Sequence, residues 1–241
     1  MKLRYISLMI IAALASSCND DFLERYPQDQ VTDNNFWQSE AHVRDAANGF
    51  TRSLVGKDWL NMTESFSDLT VWYKKENYSI LASGNYTPDE KRLDRMWQKC
   101  YENIARVNYF LDNYHRAETV SEAVKERFAA EAYFYRAFNY WVLISYFGDV
   151  PYITTSLTTS SPDVYRGRDK VNFIVEQMTS DVENTYQNLP KEIKAAGDEF
   201  GHVSQTAAMA LLSRIYLYNA MYRQKYTDNA DPGENYLTSQ D

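Results

Sequence analysis

Residues 119–151 constrain the fold more than any other stretch of the chain. The early turns are amphipathic, with Val124 and Phe128 on one side and the charged run 125–127 on the other. From Ala129 on, nearly every helical face is apolar or aromatic. Because a helix that is apolar all round must be buried on every side, this stretch predicts a central helix with the other helices packed around it.

Both ends of this helix carry signals of their own. Thr119 and Glu122 have the spacing of a capping box, in which each side chain accepts a hydrogen bond from the backbone N–H of the other residue. Gly148 is placed to adopt a left-handed conformation after the last turn, and Pro151 cannot continue a helix. Charged residues 125–127 are expected to face outward. Four aromatic residues of the helix are assigned to the core: Tyr133, Tyr135, Tyr140 and Trp141.

Apolar residues at helical spacing predict four more helices, over residues 39–55, 87–113, 171–189 and 204–220. Ser39 and Ser204 are the expected N-caps of the first and the last. The run Thr87-Pro-Asp-Glu90 is a second capping box. No strand-like alternation of any length is present, and glycine (8) and proline (6) are scarce. We therefore predict an all-α fold of tetratricopeptide-like helical hairpins around the buried central helix, with long irregular loops.

The first 18 residues are typical of an export signal. Lys2 and Arg4 precede an apolar run of about ten residues, which is too short to span a bilayer. Small residues directly before Cys18 resemble a lipobox, so we expect Cys18 to carry a lipid anchor. The alternative is a secreted protein with an incidental cysteine. The acidic residues 19–21 look like the surface-export signal of some Gram-negative lipoproteins.

After this signal peptide (1–18), the chain divides into an irregular lead (19–38), a helical domain (39–220) and a polar tail (221–241). The net charge is −8 with no basic run, which argues against nucleic acid and against an anionic membrane surface as partners. The second cysteine, Cys100, lies on an apolar stripe and is read as a small core residue rather than a reactive thiol.

No catalytic, metal or cofactor site is expected. His42, His115 and His202 lie on three separate segments with no Cys or acidic partner at ligand spacing. Motifs such as GxSxG, the P-loop and GxGxxG are absent from the sequence. With 33 acidic residues, a carboxylate pair somewhere is guaranteed by number alone, so it does not favour a glycosidase.

Residues 58–86 show no sustained period and are rich in aromatic residues. Long loops in compact domains are usually functional, and a Trp or Tyr ring offers a flat apolar face with a polar edge. The apolar face of a sugar ring stacks on such a surface while polar side chains bind its hydroxyls. The candidate ligand contacts are Trp72, Tyr73, Tyr78, Asp68, Asn77 and Asn85. Alternatively, these rings anchor the loop onto the helices.

Four segments resemble the SusD/RagB family of outer-membrane lipoproteins: Cys18-Asn-Asp-Asp-Phe-Leu-Glu-Arg-Tyr-Pro27, Phe36-Trp37, the run from Arg136-Ala-Phe-Asn-Tyr-Trp to Phe147-Gly-Asp-Val-Pro151, and residues 201–218. His202 stands where the family commonly has Arg. The resemblance covers nearly all of residues 18–220. Family members are much longer, so we expect this chain to be a truncated form or a fragment.

The resemblance implies a non-enzymatic, surface-exposed lipoprotein. Such a protein captures an oligosaccharide or polysaccharide and hands it to a TonB-dependent, SusC-like transporter. The anchor at Cys18 would hold it on the outer membrane, facing the cell exterior. Two alternatives stay open: a helical scaffold that binds protein or peptide through its exposed aromatic residues, and a glycosidase.

Overall fold

The computed structural model describes residues 36–53, 79–87, 89–193 and 201–228. The chain divides into two units, Met1–Phe36 and Trp37–Asp241, and the helices below belong to the second. They are α1 (Glu40–Asn48), α2 (Ser79–Ala82), α3 (Lys91–Asn113), α4 (Glu122–Phe147), α5 (Val171–Thr185) and α6 (Gln205–Asp228). Short 3-10 turns occupy Gly49–Ser53, Tyr114–Arg116, Pro162–Tyr165 and Tyr186–Asn188. These ranges contain no β-strand, and one antiparallel bridge pairs Val150 with Asp169.

Helix α4 is the central helix that the sequence predicts. It packs most extensively against α3 and α5 and also contacts α1 and α6. More than half of its residues are buried, among them Phe128, Leu143 and Ile144. Full burial of one such side chain stabilises the fold by about 1.5–3 kcal/mol, so α4 supplies a large share of the apolar burial. The all-α, tetratricopeptide-like prediction is confirmed.

The prediction for the aromatic residues of α4 is half right. Tyr135 and Tyr140 are fully buried, but Tyr133 and Trp141 are half-buried. These two rings lie at the rim of the core and are covered by guanidinium groups instead, that of Arg136 at 5.0 Å from the ring of Tyr133 and that of Arg214 at 5.5 Å from the ring of Trp141. Their one-sided cover explains the intermediate exposure.

Lys125 was expected to face outward, and this prediction is wrong. Its side chain is buried, and its Nζ lies 2.8 Å from the carboxylate of the exposed Glu122. The aliphatic stem of a lysine can cover apolar surface while its ammonium group reaches a partner at the edge. Because the Lys125 side chain is long, its aliphatic part can be buried while its charged group reaches Glu122.

The capping box of Thr119 and Glu122 does not form. Ser121 is the N-cap of α4 and makes no side-chain capping bond. The hydroxyl of Thr119 donates to the carbonyl of Gln38 at 2.6 Å, so a tertiary contact uses the group that would cap the helix. At the other end Gly148 has the predicted positive φ of 65°, but its ψ of −125° is not left-handed helical.

Of the remaining predicted caps, the two serine caps form and the second capping box does not. Ser39 accepts from the N–H of His42 as predicted, and Ser204 accepts from the N–H of Ala207. The second capping box, predicted at residues 87–90, does not form, because α3 begins at Lys91 with Glu90 as its N-cap. The carboxylate of Glu90 accepts from the N–H of Arg92 at 3.2 Å.

Helix α6 runs to Asp228, eight residues beyond the predicted end of the last helix at residue 220. Residues 221–228 contain neither glycine nor proline, and a helix can continue without a buried face where no breaker intervenes. The side chain of Leu217 is 63% exposed, so this face of α6 is turned to solvent.

Candidate functional site

The predicted ligand contacts fall mainly in residues 54–78. Trp72, Tyr73, Tyr78, Asp68 and Asn77 therefore lie outside the described residues and stay predictions, as does the lipid anchor at Cys18. Asn85 is described and can be placed.

Asn85 is an exposed residue just after the short helix α2. Gly84 turns the chain with a φ of 71°, a value that glycine adopts without steric cost, and its N–H bonds to the carbonyl of Leu81 at 3.2 Å. Tyr86 follows with 47% of its surface exposed. An amide and an aromatic side chain thus stand next to each other at the surface, which are the two kinds of group that sugar binding requires.

The carboxylate of Asp89 extends this polar surface. A hydrogen bond from the Thr87 hydroxyl, together with one from its own backbone N–H, holds the pKa of the Asp89 carboxyl below its usual value. Asp89 is exposed, so it presents a negatively charged acceptor four residues after Asn85. A sugar hydroxyl could donate to such a group.

Arg136 of α4 is the centre of a buried polar cluster. Its guanidinium donates to Asp181 Oδ2 at 2.6 Å, to Asn108 Oδ1 at 3.2 Å and to the Thr154 carbonyl at 3.3 Å. Burial alone would lower the pKa of Arg136, but the carboxylate of Asp181, together with Tyr152 and Tyr133, raises it overall. Three helices and the segment after α4 therefore converge on one buried cation.

Residues 151–155 are held through their backbone atoms. The hydroxyl of Tyr101 donates to the Pro151 carbonyl at 2.7 Å. The hydroxyl of Tyr140 accepts from the Ile153 N–H at 2.6 Å and donates to the Ile153 carbonyl at 2.9 Å. Asn108 Nδ2 donates to the same carbonyl at 2.9 Å. Side chains of α3 and α4 thus fix the path of this segment.

Two aspartates complete the arrangement. Asp149 Oδ1 accepts from the N–H of Val171 at 3.0 Å, so the segment after α4 caps the start of α5. Asp169 accepts from the N–H of Tyr152 at 2.7 Å and pairs with Arg166 through both of its oxygens at 2.9 Å. The motif Phe147-Gly-Asp-Val-Pro151 therefore has a structural role. It connects α4 to α5 and does not indicate which ligand the protein binds.

His202 has an acidic partner that sequence spacing did not reveal. Its Nδ1 lies 3.0 Å from both carboxylate oxygens of Glu131, which is fully buried in α4. The ring of Phe128 meets the imidazole edge-on at 5.8 Å. The two partners are 71 residues apart in the chain, so no local pattern could have paired them. Within the part of the chain that is described, no group of three or more metal-ligating side chains converges.

The structure also brings together aromatic residues that the sequence analysis missed. A pocket of about 630 Å³ opens between the C-terminal end of α4 and the later turns of α6. Its lining includes Tyr146 and Phe147 from α4 and Tyr218, Met221 and Tyr222 from α6. The spacing of four residues between Tyr218 and Tyr222, which places two rings on one helix face, was the available signal.

A SusD-like family model, described as starch-binding and associating with the outer membrane, matches residues 21–217. The starch-binding protein SusD of Bacteroides thetaiotaomicron is 26% identical, over 92% of this chain and 43% of its own length. The SusD-like protein P25 of Formosa agariphila is 24% identical, over 90% of this chain and 43% of its own length. The chain thus spans less than half the length of these relatives.

The fold agrees with the sequence comparison. A SusD-like carbohydrate-binding protein of Bacteroides fragilis superposes with a TM-score of 0.68 at 25% identity, covering 80% of this chain and 40% of its own. Among the residues that the structure describes, we find no helix with the length and apolar character needed to cross a membrane. Taken together, the match over residues 21–217 and the shared helical fold show that the chain belongs to the SusD-like family.

Proposed function

We propose that this protein is a cell-surface lipoprotein that binds a glycan and hands it to a TonB-dependent outer-membrane transporter. The observation that carries the proposal is the family match, since the model covers most of the chain and is described as starch-binding and associating with the outer membrane. SusD itself is named a starch-binding protein. The family is one of carbohydrate-binding proteins rather than enzymes.

Membrane attachment in this proposal rests on Cys18. A single acyl chain gives only marginal membrane binding, whereas two chains give stable anchoring. Diacylation at a lipobox cysteine would therefore suffice to hold the helical domain on the outer membrane. Replacement of Cys18 by Ser should release the protein from the membrane fraction.

Ligand contact in this proposal rests on the aromatic stretch from Asp68 to Asn85. Stacking on Trp72, Tyr73 and Tyr78 would supply the apolar contact, and Asp68, Asn77 and Asn85 would bind hydroxyls. The exposed positions of Asn85 and Tyr86 support this, because neither side chain is used in the core. A few such contacts give modest affinity.

Affinity electrophoresis of the purified protein through a panel of polysaccharides tests the proposal. Retardation by one glycan that Trp72→Ala, Tyr78→Ala abolishes would support both the function and the site. Retardation that survives the double variant would keep the function and overturn the site. No retardation of a folded protein by any glycan would overturn glycan binding and favour a scaffold that binds protein. Tyr165→Ala is the matched control, since this tyrosine is 93% exposed on a separate loop.

A further inference from the structure

We propose that helix α6 is the contact surface of a two-fold symmetric dimer, in which α6 of one copy packs antiparallel on α6 of a second copy. The contact uses the outer face of α6, which we define by six exposed residues: Met209, Ala210, Ser213, Leu217, Ala220 and Met221. This inference goes beyond the proposed function and does not depend on glycan binding.

Helix α6 is apolar on its outer face as well as on its inner face. The inner face, with Leu211, Leu212 and Ile215, is buried in the core. On the outer face Leu217 and Met221 are each 63% exposed. The outer residues follow one another at spacings of three or four, so they form one continuous stripe along the helix. A continuous exposed apolar surface of this kind usually marks an interaction site.

The outer face carries no charged side chain, whereas charged residues make up 24% of the chain. A surface helix normally directs charged and polar side chains to solvent. Among the described side chains of α6, Arg214 is the one charged residue, and its guanidinium lies 5.5 Å from the ring of Trp141 in α4. The outer face is therefore poorly suited to water, and burial against another apolar surface would stabilise it.

The order of the outer residues fits an antiparallel pair of identical helices. Both copies use the same patch in a two-fold symmetric contact, so the patch must be complementary to itself. An axis at the level of Ile215 places Leu217 beside Ser213 of the second copy, since each lies two residues from the axis. A large side chain therefore meets a small one at the centre of the contact, which is how facing helix layers interdigitate.

The other outer positions match in the same way. Ala210 and Ala220 lie five residues from the axis on either side, and Met209 and Met221 lie six residues from it. Facing alanines let two helix backbones approach closely, and facing methionines adapt their flexible side chains to the remaining space. A parallel pair would instead place like beside like, with a gap at the serines and overpacking at the leucines. The antiparallel pair also opposes the two helix dipoles.

The size of the outer face implies a weak dimer. Residues 209–221 span about 18 Å of helix at 1.5 Å per residue. One helix pair buries less than the roughly 1,600 Å² of a standard interface. We therefore expect a dissociation constant of about 10–100 µM, because so small a contact leaves little free energy after the cost of association.

A helix from a different polypeptide is the competing occupant of the outer face. The two relatives described above are more than twice as long as the part that this chain matches, so a longer protein has further elements that could cover the face. Such a helix would not require the outer face to be complementary to itself. The symmetric order of large and small residues about Ile215 therefore favours a second copy.

Sedimentation equilibrium from about 5 to 300 µM, a range that brackets the expected constant, tests the dimer in protein carrying Cys18→Ser. We expect Leu217→Glu and, separately, Ala210→Glu to weaken dimerisation at least tenfold, because each would bury an unpaired charge in the contact. Tyr165→Glu is the matched control, since it adds the same charge at a side chain that is 93% exposed on a separate loop. Circular dichroism melting checks that each variant is folded.

The salt dependence gives a second readout of the same contact. Each copy is acidic, and the outer face contributes no ion pair to the dimer. Added sodium chloride screens the repulsion between two like-charged copies, so it should strengthen the dimer. A dimer that salt weakens would be held by ion pairs and would contradict the proposed contact.

Oxidative cross-linking tests the antiparallel order. A mixture of the Ala210→Cys and Ala220→Cys proteins should form a disulfide between the two variants, because these positions face each other. Either variant alone should not, since the two copies of position 210 lie about 15 Å apart along the helix, beyond the reach of a disulfide. The buried Cys100 is present in both proteins and serves as the internal control.

Three further results would overturn the proposal. A wild type that stays monomeric at every concentration would leave the outer face to another polypeptide. A dimer that tolerates both glutamate variants would place the contact elsewhere on the molecule. Cross-linking of the Ala210→Cys protein with itself would show a parallel pair. None of these results bears on glycan binding, which affinity electrophoresis measures separately.

Discussion

Arg136 Nη2 and Asp181 Oδ2 lie 2.6 Å apart and form an ion pair that joins α4 to α5, with the arginine side chain 7% exposed and the aspartate side chain 29% exposed. The same guanidinium reaches α3 through Asn108 and the following segment through Thr154. One side chain therefore ties together most of what surrounds the central helix.

Replacement of Arg136 by Met should destabilise the fold strongly. The substitution keeps the aliphatic length but leaves Asp181 and Asn108 without this partner, and breaking a buried pair costs about 3–5 kcal/mol. Because Asp181 is partly exposed, we expect about 3 kcal/mol. Urea unfolding followed by circular dichroism measures the change. The control is Arg166→Met, whose more exposed pair should be worth less than about 1 kcal/mol. Equal losses for the two variants would contradict the prediction.

The pair of Glu131 and His202 predicts a second stability effect. His202→Ala leaves a fully buried carboxylate without its partner, and we expect a loss of about 3 kcal/mol. His202→Arg should retain much of the stability, because a guanidinium can also bind both carboxylate oxygens. Thermal melts of the three proteins provide the measurement. A melting temperature for His202→Ala equal to that of the wild type would show that Glu131 is satisfied in another way.

The thiol of Cys100 should be unreactive in the folded protein. Burial raises the pKa of this thiol to about 12, so at pH 8 almost none of it is the reactive thiolate. Labelling with iodoacetamide, followed by mass spectrometry, should proceed slowly in the native Cys18→Ser variant and rapidly after addition of urea. Native labelling at the rate of a free cysteine would mean that α3 opens readily around this position.

Asp169 should make stability depend on pH in the acid range. Burial alone would raise the pKa of Asp169, but the hydrogen bonds from Arg166 and from the Tyr152 N–H outweigh it and hold the pKa below its usual value of 3.8. A carboxyl group with a lower pKa in the folded state stabilises the fold above 3.8, and this contribution is lost as the pH falls further. At pH 6 the free energy of unfolding should therefore be larger for the wild type than for Asp169→Asn.

That difference should shrink as the pH is lowered through 3.8, in urea titrations at pH 6, 4.5 and 3. Asp45→Asn serves as the control, because Asp45 is an exposed residue of α1. A constant difference at all three values would mean that the aspartate acts through packing alone.

Apolar patterning was enough to predict five of the helices, all but the short α2, because burial dominates their stability. The composition of α4 predicts a buried helix, and the structure confirms this prediction. The capping boxes failed because the same hydroxyl or carboxylate can serve several backbone donors and acceptors. Thr119 bonds to Gln38, a residue 81 positions away, and no local rule weighs such a contact against a cap.

The contacts between buried polar groups could not be predicted from the sequence for a related reason. Asn108, Arg136 and Asp181 are far apart in the sequence and meet only when three helices pack. Of the six predicted ligand contacts, Asn85 lies among the described residues and is exposed. The pocket of α4 and α6 could not be predicted, because residues 146 and 222 come together only when the two helices pack.

The anchoring of residues 151–156 to α3, α4 and Asp169 has one more consequence. The hydrogen bonds from Tyr101, Asn108 and Tyr140 to this segment end on a carbonyl or an N–H, groups that nearly all amino acids share. The side chains of Thr154 and Thr155 point to solvent, so they can be exchanged while the course of the chain is preserved. Proline at position 152, 153 or 156 would remove a backbone donor that this anchoring uses. We therefore expect substitutions of the exposed side chains in this segment to change the surface with little loss of stability.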